Sequence, residues 1–243
     1  MITIWAIMLT GKSGERIQSA KNSLRQMHEM KAAGRGIQYK TLILNQHDSL
    51  KVIEGNDEYV REVHIDRNLP HLSTLGGIRN YGLSLIPNGD YIYILDDDDY
   101  HHPELLDTLW KVMSGERKRP SMVQLKNRLN FNLTTQGCWQ SSHRQGLVHF
   151  LGSIDALRAQ HFQYHDTNTL EDLSIYAMND RLLLDNDPKL YVRYTHGDNA
   201  SVWVDQKQTN AQLNTGLYSE STIEEESVTK EYCIRNCPMK IIL

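Results

Sequence analysis

Tyr91-Ile92-Tyr93-Ile94-Leu95 runs directly into Asp96-Asp97-Asp98-Asp99-Tyr100. Five consecutive β-forming apolar or aromatic residues, with no polar alternation, have the composition of a strand buried on both faces. The four acids then stand where that strand leaves its sheet. Adjacent carboxylates repel one another, so holding them in a local structure requires a compensating charge. Hard oxygen ligands favour Mg, Mn or Ca over zinc, and Mg or Mn commonly joins one or two carboxylates to a substrate's phosphates. Most acid runs are solvated turns. This one ends a buried strand, which is where open α/β sheets bind their ligands.

The segments before it read as strand, helix, strand. Residues 2–9 form an apolar strand, followed by the loop Thr10-Gly11-Lys12-Ser13-Gly14. From Glu15 to about Ala33, Ile17, Ala20, Leu24, Met27 and Met30 recur at helical spacing, and Gly34 and Gly36 stop the helix. A second strand over 39–44 leaves through Asn45-Gln46-His47-Asp48, and the order implies a right-handed parallel crossover. A third strand covers 60–65. Residues 75–85 read as a helix despite their glycines, which permit close backbone approach, and the helix carries Arg79 as a fixed cation ahead of the acid strand.

Beyond the acids, Pro103 suits the first turn of a helix over Glu104–Met113. Met122-Val123-Gln124-Leu125 reads as a strand, and 152–159 as a short helix. The stretch 127–147 is polar and gives no clear element. Residues 170–178 have a helical pattern with Glu171 and Asp172 at its start, where carboxylates also complement the helix dipole. Leu190-Tyr191-Val192-Arg193-Tyr194 is a late strand running into Thr195-His196. From Asp205 the chain turns polar, with Glu224-Glu225-Glu226 inside it, and reads as an exposed arm whose apolar end, Ile241-Ile242-Leu243, tucks against the body or a partner such as a second copy.

Length and composition narrow the classes. At 243 residues, 40% hydrophobic and 23% charged, the chain fits one large soluble domain, or a domain with an appendage. A net charge of -4 argues against an electrostatic grip on nucleic acid or an anionic membrane. Three cysteines, Cys138, Cys233 and Cys237, are too few for a disulfide framework. The start carries no basic leader, and no apolar run reaches spanning length, so the expected location is cytoplasmic.

One motif is a decoy. Ala6 to Ser13, ending in Gly11-Lys12-Ser13, matches the loose form of a phosphate-binding loop with Ala for the first Gly. That chemistry needs flexible backbone whose amides wrap a phosphate, followed at once by a helix. Ala6 to Leu9 instead belong inside an apolar strand, and Gly14 interrupts the helix.

The ordered motifs resemble a known family. Arg79-Asn80-Tyr81-Gly82-Leu83, then Gly89-Asp90-Tyr91-Ile92-Tyr93-Ile94-Leu95-Asp96-Asp97-Asp98-Asp99 and Pro103, is similar to the "ARNxGL…GxYixfLDxDDxxxP" block of family 2 glycosyltransferases, and Leu170-Glu171-Asp172-Leu173 to their later "EDxxL" signature. The resemblance spans residues 1–204 and implies the GT-A fold, an α/β architecture with a mixed, mainly parallel sheet flanked by helices. Residues 1–115 would form the nucleotide-sugar-binding half, 116–204 the acceptor-binding half, and 205–243 the arm. Asp96 and Asp98 would be the outer acids of the DxD motif. Asp98 would hold Mn or Mg on the diphosphate, Asp96 would be a further metal ligand, and Asp96 or Asp97 would face the ribose. Arg79 would lie near the nucleotide, Asp172 would be the general base with Glu171 beside it, and His196 would reach the metal or diphosphate.

Departures fall in the nucleotide loops. Met8-Leu9-Thr10-Gly11 replaces the family's Pro-Thr-Tyr-Asn, so Thr10 and Gly11 stand at the nucleotide. Asn45-Gln46-His47-Asp48 replaces its Asp-Asp-Gly-Ser, which puts the usual uridine preference in doubt and leaves Asn45 and Asp48 to meet a base. An amide both donates and accepts. The implied reaction moves a sugar from a nucleotide-diphosphate donor to a hydroxyl with inversion. Its rivals are an ATP-dependent phosphotransferase using Gly11-Lys12-Ser13, a non-catalytic metal- or nucleotide-binding relic, and a nucleotidyltransferase, which would usually carry a Gly-rich phosphate loop after the first strand. The acceptor, whether glycan, lipid-linked sugar, protein or a hydroxylated base, is not readable.

Overall fold

The computed structural model describes residues 2–29, 37–55, 57–115, 119–134, 136–143, 147, 149–168, 173–195, 218–220 and 226–238. Its strands are β1 (Ile2–Leu9), β2 (Ile37–Asn45), β3 (Val60–His64), β4 (Tyr91–Asp96), β5 (Tyr100–His101), β6 (Met122–Leu125), β7 (Asn127–Asn132), β8 (Cys138–His143), β9 (Phe150–Ser153), β10 (Arg181–Leu184), β11 (Tyr191–Thr195) and β12 (Tyr218–Glu220). The helices are α1 (Gly14–Glu29), α2 (Leu75–Ser84), α3 (Leu105–Gly115), α4 (Ile154–Ala159), α5 (Leu173–Tyr176) and α6 (Glu226–Asn236).

The main sheet has seven strands in the order β10-β6-β9-β4-β1-β2-β3, and β9 alone among them runs antiparallel to its neighbours. A second sheet, β12-β8-β7-β11-β5, stands beyond the acids. As its sequence demands, β4 is buried on both faces. Tyr91, Tyr93 and Leu95 pack with Ile17, Ala20 and Leu24 of α1 and with Leu105, Leu109 and Trp110 of α3, while Ile92 and Ile94 pack with Ile78 of α2, Ile154 and Leu157 of α4 and Ile175 of α5. Side chains alternate across a strand, so one five-residue run serves both layers. Each fully buried aliphatic side chain contributes about 1.5–3 kcal/mol, so β4 is firmly anchored in both layers.

The glycines of α2 are required. A Cβ on Gly76 would lie 1.7 Å from the backbone oxygen of His165, and one on Gly82 would lie 2.7 Å from Leu44 Cδ1. Gly76 N–H also donates to the Thr167 carbonyl at 3.0 Å. The helix therefore sits against the 164–168 segment with no room for a side chain.

Several sequence expectations change. The first helix is described from Gly14 to Glu29, and its expected end near Ala33 falls among residues 30–36, outside the described set. The stretch 127–147, whose sequence gives no clear element, supplies the β7–β8 hairpin. Its polar residues face inward and satisfy one another: Asn130 Nδ2 donates to Ser141 Oγ at 2.9 Å and Asn127 Nδ2 to Asp185 at 2.7 Å. Polar groups so paired can be buried, and this is why hydropathy misread them. The short helix of 152–159 is preceded by the strand β9. The described part of the C-terminal arm is not a free tail. Cys233 of α6 is fully buried against Leu129, Phe131 and Val192 of the second sheet, and Tyr194 OH donates to the Cys233 carbonyl at 2.6 Å. Among the described residues no helix is long and apolar enough to cross a membrane.

Candidate functional site

The parallel register brings three strand ends to one edge. Leu9 lies opposite both Leu44 and Asp96, so the loops after β1, β2 and β4 open side by side. The acid run turns there, between β4 and β5.

Asp97 is the most tightly held of the four acids. Its Oδ2 accepts the Gly11 N–H and Arg16 Nε, each at 3.2 Å, and its Oδ1 accepts Arg16 Nη2. Its carbonyl accepts the hydroxyls of Ser19 and Ser23, one turn apart on α1, at 2.6 and 3.0 Å. Burial, with Asp98 adding to it, pushes the Asp97 carboxyl up to about 8 against the pull of Arg16. Asp98 accepts Arg16 Nη1. Burial opposes the charge on Arg16, yet the Asp98 and Asp97 carboxylates raise its pKa above the ordinary value.

Asp99 faces the second sheet. It accepts the Tyr191 hydroxyl and, at 2.8 Å, the Tyr194 backbone N–H. Burial and the charges of Asp98 and Asp96 raise its pKa well above the carboxylate range. Asp99 thus fastens β11 to the end of β4.

Asp96 is the acid most open to solvent, with its side chain 29% exposed. Burial would raise its pKa, but His149, Arg79 and His101 outweigh it, and the group stays ionised far below the ordinary range. The His149 ring stands 3.1 Å away and the Arg79 guanidinium 3.6 Å. Arg79 is itself fixed by stacking over the Tyr164 ring at 5.3 Å. Behind Asp96, His149, His101 and Tyr191 form a buried ring cluster with centroids 4.3 to 5.6 Å apart, and His101 Nδ1 pairs with Tyr93 OH at 2.8 Å. Burial, with the charge of His149 adding to it, lowers His101 to about 3, so its ring is neutral near pH 7.

The β2 loop is closed on itself. Asn45 Oδ1 accepts Thr10 Oγ1 at 3.2 Å and the His47 N–H at 2.8 Å, while Nδ2 donates to the Leu50 carbonyl and to Glu62 Oε1. All four bonding positions of that amide are therefore satisfied inside the protein, which corrects the expectation that Asn45 turns outward to a base. Asp48, three residues on, is exposed.

No protein-family model matches the sequence, and no curated protein matches it. Solved structures match the fold. Residues 1–349 of TarS from S. aureus superpose with a TM-score of 0.54 at 11% identity, covering 80% of this chain and 60% of that one. The present chain thus spans less than two thirds of its length. Glucosyl-3-phosphoglycerate synthase from Mycobacterium tuberculosis in complex with uridine diphosphate gives 0.52 at 12% identity, covering 88% and 79%. A further mycobacterial protein gives 0.50 at 12%, covering 89% and 75%.

The fold is GT-A.

In this GT-A frame the expected residues divide into groups. Thr10, Gly11, Asn45, Arg79, Asp96, Asp97 and Asp98 come together at one sheet edge. Glu171, Asp172 and His196 lie outside the described residues. What flanks the first two is well anchored. Asn80 of α2 exchanges two hydrogen bonds with the Tyr164 backbone, at 2.9 and 2.7 Å, and Asn168 accepts the Leu75 N–H at 3.1 Å. On the other side, α5 buries Ile175 completely.

Sequence reasoning missed Arg16, Ser19, Ser23, His101 and His149. A signal existed for the first three, since a cation and two serines at helical spacing face the acids across one strand. None existed for His149, which reaches the site from a distant strand end.

The donor set suits a divalent cation. Asp96, Asp99 and His149 each place a ligand atom within 4.8 Å of the others, and buried His149 Nδ1 and His101 Nε2 have no hydrogen-bond partner among the described residues. Carboxylate oxygens with an imidazole fit Mn or Mg better than thiophilic metals. The described residues thus group Asp96 with Asp99 and His149, whereas Asp98 turns to Arg16.

Proposed function

We propose that this chain is a metal-dependent glycosyltransferase that moves a sugar from a nucleotide-diphosphate donor to an acceptor hydroxyl, with inversion at the anomeric carbon. One observation carries the reading. A solvent-facing carboxylate, Asp96, is kept ionised by His149 and Arg79 at the edge where three parallel strands end.

Asp96 and Asp98 would hold Mn or Mg, and when bound the cation supplies stabilisation for negative charge gathering on the departing diphosphate. Arg79, stacked on Tyr164, keeps Asp96 ionised and adds a positive field at the nucleotide. Asp98 is available once its guanidinium partner moves. Asp172 is the general base, taking the proton of the acceptor hydroxyl as its oxygen attacks the anomeric carbon from the face opposite the leaving group. Glu171 stands beside it in the chain, and 164–168, which precede both in sequence, are fastened onto α2. His196 is retained as a further ligand for the cation or diphosphate.

The uridine diphosphate bound by one structural neighbour makes UDP-sugars the first donors to try. With the Asn45 amide satisfied internally, Thr10, Gly11 and Asp48 are the candidates for contact with the nucleoside. The phosphotransferase reading finds no support, because Ala6 to Leu9 belong to β1 and cannot form a phosphate-wrapping loop. A cytoplasmic location fits a chain with only three cysteines, too few for a disulfide framework.

The test is incubation with a panel of nucleotide-sugars and Mn, following nucleoside-diphosphate release and the anomeric configuration of the product. Transfer with inversion that vanishes in Asp172→Asn, while donor binding persists, supports the reading. Loss of binding and transfer together refutes the role of Asp172 as base.

A further inference from the structure

Arg16 stands in the first turn of α1, and its guanidinium forks onto the Asp97 carboxylate while Nη1 reaches Asp98. The preceding loop is shaped around it. A Cβ at Gly11 would lie 2.7 Å from Arg16 Cγ and 3.0 Å from its Nε, so the loop has a residue without a side chain where the arginine's stem crosses. The N–H of that glycine donates to the same Asp97 oxygen that Nε uses. The Gly-Lys-Ser triplet that imitates a phosphate loop is thus the seat of an arginine.

We propose that Arg16 is a built-in counter-cation of the acid tip: it yields Asp98 to an incoming divalent ion and passes to the donor's diphosphate. The inference rests on the donor-diphosphate reading above and assigns that site its order of assembly. The buried Asp97 and Asp98 carboxyls share the Arg16 guanidinium. A divalent ion bound through Asp98 would share that carboxylate with the Nη1 contact, and the two cations repel strongly where water is scarce. A displaced guanidinium remains charged and carries a planar fork of donors that matches phosphate oxygens. The Arg16 side chain is 21% exposed, so it can be reached from solvent. Cation and diphosphate then assist each other, and such coupling is reciprocal.

The test is calorimetric titration of the full chain with Mn, alone and with UDP present, for the wild type, Arg16→Gln and Gly11→Ala. The wild type should bind Mn weakly alone and about tenfold or more tightly with UDP, within the usual range of site coupling. Arg16→Gln should bind Mn alone about tenfold more tightly than the wild type, and UDP should no longer strengthen it. Gly11→Ala crowds the arginine's stem while keeping its charge, so it should also tighten Mn binding and serves where Arg16→Gln fails to fold. Variants that bind Mn no better than the wild type overturn the proposal. Tightened Mn binding with no UDP affinity in any protein upholds displacement by the cation but overturns both the transfer to diphosphate and the donor reading beneath it.

Discussion

Nε2 of His149 lies 3.1 Å from Oδ2 of Asp96, joining residue 149, just before β9, to the tip of β4. The His149 ring is almost fully buried while the acid is partly open, so the histidine acts from behind as a support that aims the carboxylate outward.

Removing that support should cost function more than stability. His149→Phe keeps the ring packing against Tyr191 and deletes the partner of Asp96. Partners behind metal-binding groups are typically worth about 10–100-fold in metal affinity or activity. Mn affinity and kcat/KM are therefore expected to fall by that order, with partial rescue in His149→Gln. Unchanged values would show that Asp96 aims itself.

The buried ring of His101 sets an acid limit on stability. Its pKa is about 3 folded against 6.5 free, so the unfolded chain binds the proton more readily. Stability from this group is complete above pH 6.5 and is lost as pH falls toward 3. One pKa unit corresponds to about 1.4 kcal/mol, so by pH 5 the loss is on the order of 2 kcal/mol. Melting curves at pH 7 and 5 check this, and His101→Gln should flatten the difference.

Gly76→Ala forces a Cβ to 1.7 Å from the His165 oxygen, which only a backbone shift can relieve. Overpacking of this kind costs about 1–3 kcal/mol or more. Because the displaced strand of chain leads to Glu171 and Asp172, transfer should fall further than the lost stability explains. Denaturant melts compared with activity at low temperature separate the two.

Lys12→Ala should be almost silent. The side chain is exposed beside a loop built for Arg16. Surface changes of this kind usually stay within about 0.5 kcal/mol, and transfer should stay within about twofold, whereas an enzyme with a true phosphate loop would be disabled. Steady-state kinetics decide between them.

The seven strands of the main sheet were only partly legible. Where one residue type dominates a short run, as in β1, β2, β4 and β6, the pattern located each strand to within two residues. β9 and β10 were missed: they are four residues each, and their neighbours in the sheet come from far along the chain. The β7–β8 hairpin was unreadable because Asn127, Arg128 and Asn130 are buried polar residues that Asp185 and Ser141 satisfy. The same limit applied at the site. The acids and Arg79 were visible as a linear motif, but His149 depends on strand pairing, and Arg16 was read as part of a helix rather than as its working end. Asn45 was given a ligand to read, and the structure gives it Thr10, Leu50 and Glu62 instead.

The most direct test of the acid tip as a cation-and-donor clasp is a thermal-shift titration with nucleotide-sugars. It compares the wild type and Asp98→Asn, each with and without Mn. Ligand at about 100 times its Kd should stabilise the folded state by about 2.7 kcal/mol. A shift of that order is expected for the wild type with Mn and one class of nucleotide-sugar, and it should shrink sharply without Mn or in Asp98→Asn. If no nucleotide-sugar stabilises the wild type with Mn, or if Asp98→Asn responds as strongly as the wild type, the acid tip does not hold the donor and the assignment is wrong.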